Sequence, residues 1–144
     1  MIAPLAVDDA GELLTVQRAA YVGESMLYDQ FLPPLRESLD EVRAVLARED
    51  VRVLGAREGA RLVGAVRVMP SGEVARLCVV PDRQGAGLGT ALLRAAISAG
   101  GSWLFTGDRS ASNLRLYERH GFVETRREPS VGHDLVYLAL PSAA

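Results

Sequence analysis

Apolar residues recur along this chain at two spacings, of which one is typical of helices and the other of strands. Near the N-terminus, five apolar positions fall at helical spacing: Leu13, Leu14, Val16, Ala20 and Tyr21. Asp8 or Asp9 can cap this first predicted helix. A second helix is predicted from the capping box Ser38-Leu39-Asp40-Glu41 to about Arg48. Residues 23–35 between them are predicted to be irregular, because two consecutive prolines cannot continue a helix.

Short apolar runs bounded by Gly, Pro and polar turn residues predict strands. The predicted strands cover residues 2–7, 51–57, 62–69, 73–80, 102–106, 122–126 and 135–140. Two more helices are predicted between strands, one from a glycine-rich loop to about Ser98 and one that ends before Gly121. This order of elements predicts a single α/β domain over residues 1–144. Its central sheet is expected to be mixed, mostly antiparallel and of about six or seven strands, with about four helices on its two faces.

The segment from Leu77 to Leu93 is the strongest candidate for a binding site. It consists of an apolar strand that stops at Pro81, a loop with three glycines in five residues, and an Ala/Leu-rich helix. The first N–H groups of a helix have no partner within the helix, and the helix dipole adds positive charge there. Glycines let a bulky polyphosphate approach the backbone, because they carry no Cβ. The segment therefore predicts a site for a cofactor with a pyrophosphate, held mainly by main chain.

The spacing of the glycines limits the identity of that cofactor. A phosphate-binding P-loop requires a Lys, and all 16 basic residues of this chain are Arg. A dinucleotide-binding loop requires the pattern G-x-G-x-x-G. Gly85 and Gly87 begin that pattern, but Thr90 occupies its third glycine position. Asp108 lies about 20 residues further on, as the ribose-binding acid of such enzymes does. A small dinucleotide-binding oxidoreductase therefore stays open as an alternative on these residues.

Two segments resemble motifs of the GNAT N-acetyltransferase superfamily. Gln84-x-x-Gly87-x-Gly89 is similar to its (Arg/Gln)-x-x-Gly-x-(Gly/Ala) loop. The later segment Asn-Leu-Arg-Leu-Tyr-Glu-Arg-His-Gly-Phe at 113–122 is similar to its Asn…Tyr…Gly-Phe motif, and its Asn and Tyr lie on one helix face. The two motifs lie about 25 residues apart, with the predicted strand at 102–106 between them. The resemblance implies a GNAT-like fold and an acetyl-CoA-dependent N-acetyltransferase.

The resemblance also implies which residues contact acetyl-CoA, the co-substrate. In the family the glycine loop cradles the pyrophosphate, and the preceding strand pairs with the pantetheine arm. The expected contact residues are Leu77, Cys78, Val79, Gln84, Gly85, Ala86, Gly87, Leu88, Gly89, Thr90, Asn113 and Tyr117. Gln84 stands where Arg is commoner in the family, so one charge contact to phosphate is expected to be missing.

Transfer of an acetyl group from a thioester to an amine requires a deprotonated amine and a protonated leaving thiol. A carboxylate, directly or through water, can take the proton of the amine. By resemblance Glu73 is the candidate base, since its strand carries the base in several family members, and His133 is a second candidate. Tyr117 is the candidate general acid, because a phenol with a pKa near 10 stays protonated at neutral pH.

In this family the acceptor pocket is formed by the first helices and by loops near the last strands. The corresponding residues here are Tyr21, Tyr28, Asp29, Phe31, Arg36, Arg126, Arg127 and His133. Glu24 and Asp29 can attract a cationic amine, and the Arg residues can pair with a carboxylate. Small-molecule amines, amino acids, peptides and polyamines therefore all stay open as acceptors. An alternative is a non-catalytic acyl-CoA-binding sensor or partner-binding module, and the resemblance also leaves a homodimer open.

Composition narrows the class of protein. A net charge of −2 argues against a nucleic-acid partner, and a chain with 49% hydrophobic and 24% charged residues is typical of a globular domain. Cys78 is the one cysteine, so neither an internal disulfide nor a cysteine-based metal site is expected, and it is predicted to be a small buried apolar residue. No signal-peptide pattern and no run of about 18 apolar residues is present, so no membrane contact and a cytoplasmic location are expected.

Overall fold

The computed structural model describes residues 1–142, which form seven strands and five α-helices. The strands are β1 (Ile2–Pro4), β2 (Arg52–Glu58), β3 (Arg61–Val68), β4 (Val74–Val79), β5 (Trp103–Gly107), β6 (Val123–Ser130) and β7 (His133–Ala139). The helices are α1 (Ala10–Tyr28), α2 (Pro33–Arg36), α3 (Leu39–Ala47), α4 (Leu88–Ser98) and α5 (Ala111–Arg119). The predicted α/β class with antiparallel pairing is confirmed.

The strands form two antiparallel sheets, in the orders β1-β2-β3-β4 and β5-β7-β6. Between residues 1 and 142, the two sheets are joined by a single parallel bridge, from Glu73 to Trp103, at the start of β4 and β5. Beyond this bridge β4 and β5 form no ladder with each other, so their carboxyl-terminal ends diverge. The gap that opens between them is where the candidate site lies.

Helices cover both faces of the first sheet. Every residue of β3 from Leu62 to Val68 is buried. Gly64 faces Leu92 of α4, whereas Arg67 contacts Gln17 of α1. Since successive residues of a strand point to opposite faces, α4 and α1 pack on opposite sides of β3. The prediction of helices on both faces is therefore confirmed.

Helix α1 is longer than the sequence pattern predicts. Residues 23–28, predicted to be irregular, continue the helix, which ends where Asp29 adopts a left-handed φ of 51°. A glycine inside a helix costs only about 1 kcal/mol, which packing readily offsets, so Gly23 does not stop it. Pro33 and Pro34 open the short helix α2, where proline is tolerated because the first helical N–H groups need no partner. Strand β6 likewise continues past the predicted residue 126 to Ser130.

Candidate active site

Strand β4 contains a bulge at the centre of the site. Ala65 of β3 lies opposite Cys78 and Arg67 lies opposite Ala75, so two residues of β4, Arg76 and Leu77, stand opposite one residue of β3. Arg76 has a left-handed φ of 53°, which is uncommon for a residue other than glycine. A bulge bends a strand and changes the direction of its side chains. Here Arg76 and Leu77, which follow each other in the strand, both line the gap between β4 and β5.

Two cavities meet at this bulge. The larger, of about 850 Å³, lies between the end of α1, α2, β4, β5 and the β6–β7 hairpin. The smaller, of about 370 Å³, lies between α1, the end of β4, the glycine loop and α5. Four residues line both cavities: Tyr21, Glu24, Leu77 and Asn113. The Tyr21 hydroxyl donates a hydrogen bond of 3.0 Å to the Leu77 carbonyl and so ties α1 to the bulge.

The glycine loop opens toward solvent at the start of α4. Gly85 and Gly87 have φ values of 81° and 86°, which glycine adopts without strain. A Cβ on either glycine would meet no atom within 4 Å, so nothing packs against this side of the loop. The first helical hydrogen bond runs from the Ala91 N–H to the Gly87 carbonyl, which leaves the three preceding N–H groups without a partner in the helix. Such a loop fits a pyrophosphate group.

The polar side chains of this loop are already engaged. The Gln84 amide donates to the Val79 carbonyl at 3.1 Å and so fastens the loop to the end of β4. The Arg83 guanidinium forms a two-point ion pair with Glu58, with distances of 2.7 and 2.6 Å. Because Glu58 compensates the charge of Arg83, main-chain N–H groups are the main donors that this loop offers to an anion.

Most of the predicted acetyl-CoA contacts are gathered around the smaller cavity. Those that line it are Leu77, Cys78, Val79, Gln84, Gly85, Gly89 and Asn113. Ala86, Gly87, Leu88 and Thr90 belong to the same loop and the first turn of α4, next to the lining residues. Tyr117 faces the larger cavity instead. Their contacts with acetyl-CoA stay a prediction.

Cys78 behaves as the sequence predicts. It is buried in β4, and burial raises the pKa of its thiol to about 12. A thiol with such a pKa stays protonated at neutral pH, and the thiolate is the nucleophilic form of cysteine. Cys78 is therefore a small apolar side chain of the core and not a nucleophile.

The two predicted catalytic side chains share the larger cavity. Tyr117 of α5 is 6% exposed, and no group of residues 1–142 hydrogen-bonds to its hydroxyl. Burial and, less strongly, the negative charge of Glu24 raise the pKa of Tyr117 above its usual value, so the phenol keeps its proton. Glu73, just before β4, is half-buried. Burial raises the pKa of its carboxyl, and the positive charge of Arg76 partly opposes this.

A hydrogen-bond network holds Glu24 where the cavities meet. The Ser110 hydroxyl donates to one carboxylate oxygen of Glu24 at 2.7 Å, and the Asn113 amide donates to the other at 3.3 Å. The Tyr28 hydroxyl is 2.7 Å from that of Ser110 and accepts the Arg109 N–H at 3.0 Å. Sequence reasoning used Glu24 only as a charge and missed Ser110. Glu24 and Ser110 are 86 residues apart, so no local pattern links them.

The predicted acceptor residues are only partly brought together. Tyr21, Tyr28, Phe31, Arg36 and His133 line the larger cavity. His133 packs against Tyr28, with ring centroids 4.5 Å apart and the ring planes tilted by 46°.

Asp29, Arg126 and Arg127 do not line either cavity, which corrects their expected placement. Arg126 lies over the Tyr137 ring at 3.7 Å and pairs with Glu128 at 2.9 Å. Arg127 pairs with Glu124 at 3.0 Å. Both lie on β6, whose residues are all exposed, so their charges meet partners on the surface of the second sheet and not the cavity.

The fold and this paired-cavity site define a known class of protein. A family model described as an acetyltransferase (GNAT) domain matches residues 17–137. The chain therefore belongs to the GNAT acetyltransferase family, which confirms the resemblance of the two motifs. Family membership makes acetyl transfer the general activity of the chain and replaces the oxidoreductase interpretation of the glycine loop.

Several solved structures share the fold. The ribosomal-protein-S18-alanine N-acetyltransferase from Escherichia coli is 22% identical, with a TM-score of 0.78 over 100% of this chain and 95% of that chain. The PaiA N-acetyltransferase from Thermoplasma acidophilum, in complex with coenzyme A, is 18% identical, with a TM-score of 0.71 over 96% and 98% of the two chains. The GNAT domain of S. lividans PAT is 23% identical, with a TM-score of 0.71 over 96% and 89%. No curated protein matches the sequence.

Residues 1–142 contain no group of three or more His, Cys, Asp and Glu side chains that could hold a metal ion. In the same part of the chain, no helix is both long enough and apolar enough to cross a membrane.

Proposed function

We propose that this single-domain chain transfers an acetyl group from acetyl-CoA directly to the amine of a small molecule, amino acid or peptide. The observation that carries the proposal is the meeting of two cavities at the bulge of β4. The smaller cavity lies beside a glycine loop suited to a pyrophosphate, and the larger contains Tyr117 and Glu73. The two substrates would thus approach Leu77 from opposite sides. The coenzyme A bound to the similar Thermoplasma acidophilum enzyme supports this choice of co-substrate.

In this proposal the chain holds the co-substrate mainly with its backbone. The N–H groups at the start of α4 and in the glycine loop bind the pyrophosphate, with Gly85 and Gly87 leaving room for it. The backbone of Leu77 to Val79 pairs with the pantetheine arm along the diverging edge of β4. Acetyl-CoA supplies an acetyl group activated as a thioester. Because Gln84 and Arg83 are engaged within the protein, binding depends less on side-chain charge than in relatives with Arg at position 84.

In this proposal Glu73 is the general base of the reaction and Tyr117 is the general acid. An alkyl amine has a pKa near 10.4, so keeping it neutral at pH 7 costs about 4–5 kcal/mol. The Glu73 carboxylate takes the proton of the amine directly or through a water molecule, and its raised pKa makes it a better acceptor. The amine nitrogen then bonds to the acetyl carbon and releases its second proton to solvent as the carbon–sulfur bond breaks, which leaves the amide product. Tyr117 gives its proton to the departing sulfur and afterwards regains one from solvent.

The first test is isothermal titration of the protein with acetyl-CoA, followed by thiol release over a panel of amines, amino acids and peptides. Binding with thiol release in the presence of an amine supports the transferase. Binding without release for any acceptor favours the alternative of a non-catalytic acyl-CoA sensor. Absence of acetyl-CoA binding contradicts both, and would mean that the loop with Gln84 does not hold the co-substrate.

A further inference from the structure

A buried cluster beneath the larger cavity carries more positive than negative charge. The guanidinium of Arg67, which is 6% exposed, pairs with the Glu37 carboxylate at 2.5 and 3.1 Å. The Gln17 amide donates to the same carboxylate at 2.9 Å. Arg76 approaches Glu37 as well, with its Nε 3.7 Å from the carboxylate. Two guanidinium groups therefore share one carboxylate, which Arg67 already holds.

Arg76 forms no side-chain hydrogen bond within residues 1–142, and its two terminal nitrogens are left for a ligand in the cavity. Its Nε is buried and has no hydrogen-bond partner among residues 1–142. Its side chain is 26% exposed and lines the larger cavity. A buried donor without a partner is costly, and a guanidinium offers five donors in a geometry that matches a carboxylate. The left-handed backbone at Arg76 is a further cost, of the kind found at functional sites.

The same cavity is apolar around these charges. Its walls include Phe31, Leu32, Val74, Phe105, Val131 and Leu135. The other charged residues that line it are Arg36, Glu24 and Glu73, apart from the titratable His133 and tyrosines. A ligand that fits this arrangement has an apolar body, an amine for the carboxylates and an anionic group for Arg76. A polyamine would instead place a second cation beside a guanidinium.

We propose that the acceptor is a small apolar amine that also carries a carboxylate, of which a free aromatic or large aliphatic amino acid is the simplest case, and that Arg76 binds this carboxylate. This inference rests on the proposed function and selects among the acceptors that it leaves open. Arg76 is next to Leu77, where the two cavities meet, so binding of the carboxylate there places the amine near the acetyl group. Arg76 thereby determines specificity and takes no part in the proton transfers.

The experiment compares acceptors that differ only in the anionic group. Rates of thiol release are measured with acetyl-CoA and L-phenylalanine, L-phenylalaninamide, phenethylamine or spermidine, and the L-leucine series repeats the comparison. Loss of hydrogen bonds to a charged group is expected to lower kcat/KM by about 10- to 100-fold for the amide and for phenethylamine. Titration of L-phenylalanine and phenethylamine into the protein with coenzyme A measures the same preference without turnover.

A variant assigns the preference to Arg76. Arg76→Asn removes the guanidinium, and Asn is among the residues that tolerate a left-handed backbone. In this variant the ratio of kcat/KM for phenylalanine to that for phenethylamine is expected to fall toward one. Arg52→Asn, at an exposed arginine of β2 outside both cavities, is the matched control and should keep the wild-type ratio.

The outcomes separate this inference from the proposed function. Three outcomes would each overturn the inference but leave an acetyltransferase. They are equal use or equal binding of phenylalanine and phenethylamine by the wild type, a preference for spermidine, and a ratio of kcat/KM for the two acceptors that is unchanged in Arg76→Asn. Failure to bind acetyl-CoA overturns the proposed function. If Arg76→Asn does not fold, the wild-type comparison of matched acceptors still decides the class of acceptor, and Arg76→Gly, which also fits the left-handed backbone, takes its place as the test of Arg76.

Discussion

Tyr117 of α5 is 6% exposed and lines the larger cavity, and its hydroxyl has no hydrogen-bond partner among residues 1–142. Removal of this hydroxyl should therefore change the free energy of unfolding only slightly. We expect Tyr117→Phe to lower kcat by about 10²- to 10⁴-fold, since that is the usual contribution of a general acid. The Kd for acetyl-CoA, measured by isothermal titration, should stay near the wild-type value.

Tyr137→Phe is the matched control for this change. Tyr137 lies on β7, packs against Phe105 and Arg126, and lines neither cavity. Its variant should retain wild-type kcat. A Tyr117→Phe protein that turns over at the wild-type rate would remove Tyr117 from the mechanism.

The carboxyl of Glu73 has a pKa raised by burial, with opposition from Arg76. A general base acts in its deprotonated form, so activity should be full above this pKa and fall as the pH drops through it. We expect the pH profile of kcat/KM to show this lower limb at a pH above the usual carboxyl value of 4.5. Glu73→Gln should reduce the rate by about 10²-fold or more and abolish the limb.

Glu73→Asp separates the chemical role from a structural one. The shorter side chain keeps a carboxylate, so the lower limb should persist at a reduced rate. An unchanged profile in Glu73→Gln would shift the assignment of the base to His133 or Glu24, which line the same cavity.

At the scale of elements, the loop before α4 depends on glycine in two ways. Gly87 caps the helix with a left-handed φ of 86° and presents open space on the side where a Cβ would stand. We expect Gly87→Ala to weaken acetyl-CoA binding by about tenfold or more, because the methyl group would displace the pyrophosphate from one or more N–H donors. Isothermal titration measures the change.

Gly59→Ala is the control for the backbone strain of that change. Gly59 also has a positive φ, of 61°, and a Cβ there would likewise meet nothing within 4 Å, but it lies in the β2–β3 turn. Both variants should lose similar stability, whereas Gly59→Ala should bind acetyl-CoA like the wild type. Equal binding by the two variants would argue against a pyrophosphate at the start of α4.

Local signals predicted the start of α3 correctly and the end of α1 wrongly. The capping box of Ser38 and Glu41 forms as predicted, with reciprocal bonds of 2.9 and 3.1 Å. These bonds lie within four residues, so the sequence alone specifies them. The end of α1 depends instead on partners far along the chain, since Tyr28 is buried against Ser110 and His133. Such packing outweighs the weak preference of Gly23 against helix.

At the scale of the whole molecule, the Glu37–Arg67 pair joins the connection between α2 and α3 to the sheet. The two side chains are 11% and 7% exposed. We expect Glu37→Ala to lower the free energy of unfolding by about 3–5 kcal/mol, because it leaves a guanidinium buried without its partner. Urea unfolding measures this, and the double variant Glu37→Leu with Arg67→Met should recover part of the loss. An equal or larger loss in the double variant would contradict the explanation.

The same pair makes stability depend on pH. Burial alone would raise the pKa of Glu37, but hydrogen bonds from Arg67 and Gln17 and the nearby positive charges outweigh it and lower the pKa. The ionised carboxylate thus stabilises the fold at pH values above its unfolded pKa, and this contribution is lost as the pH falls through the lowered folded value. In Glu37→Ala, the loss of unfolding free energy between neutral and acid pH should be smaller than in the wild type, as urea unfolding at several pH values would measure.

The sequence by itself determined the family, the glycine loop before α4 and the order of the elements apart from the short helix α2. These depend on residues close together in the chain, whose spacing and backbone preferences act locally. Only the tertiary structure decided the bulge at Arg76, the network around Glu24, and the surface placement of Arg126 and Arg127. These features arise where distant elements pack together. The sequence could not predict them, because strand register, burial and charge pairing depend on neighbours in three dimensions, which no local pattern specifies.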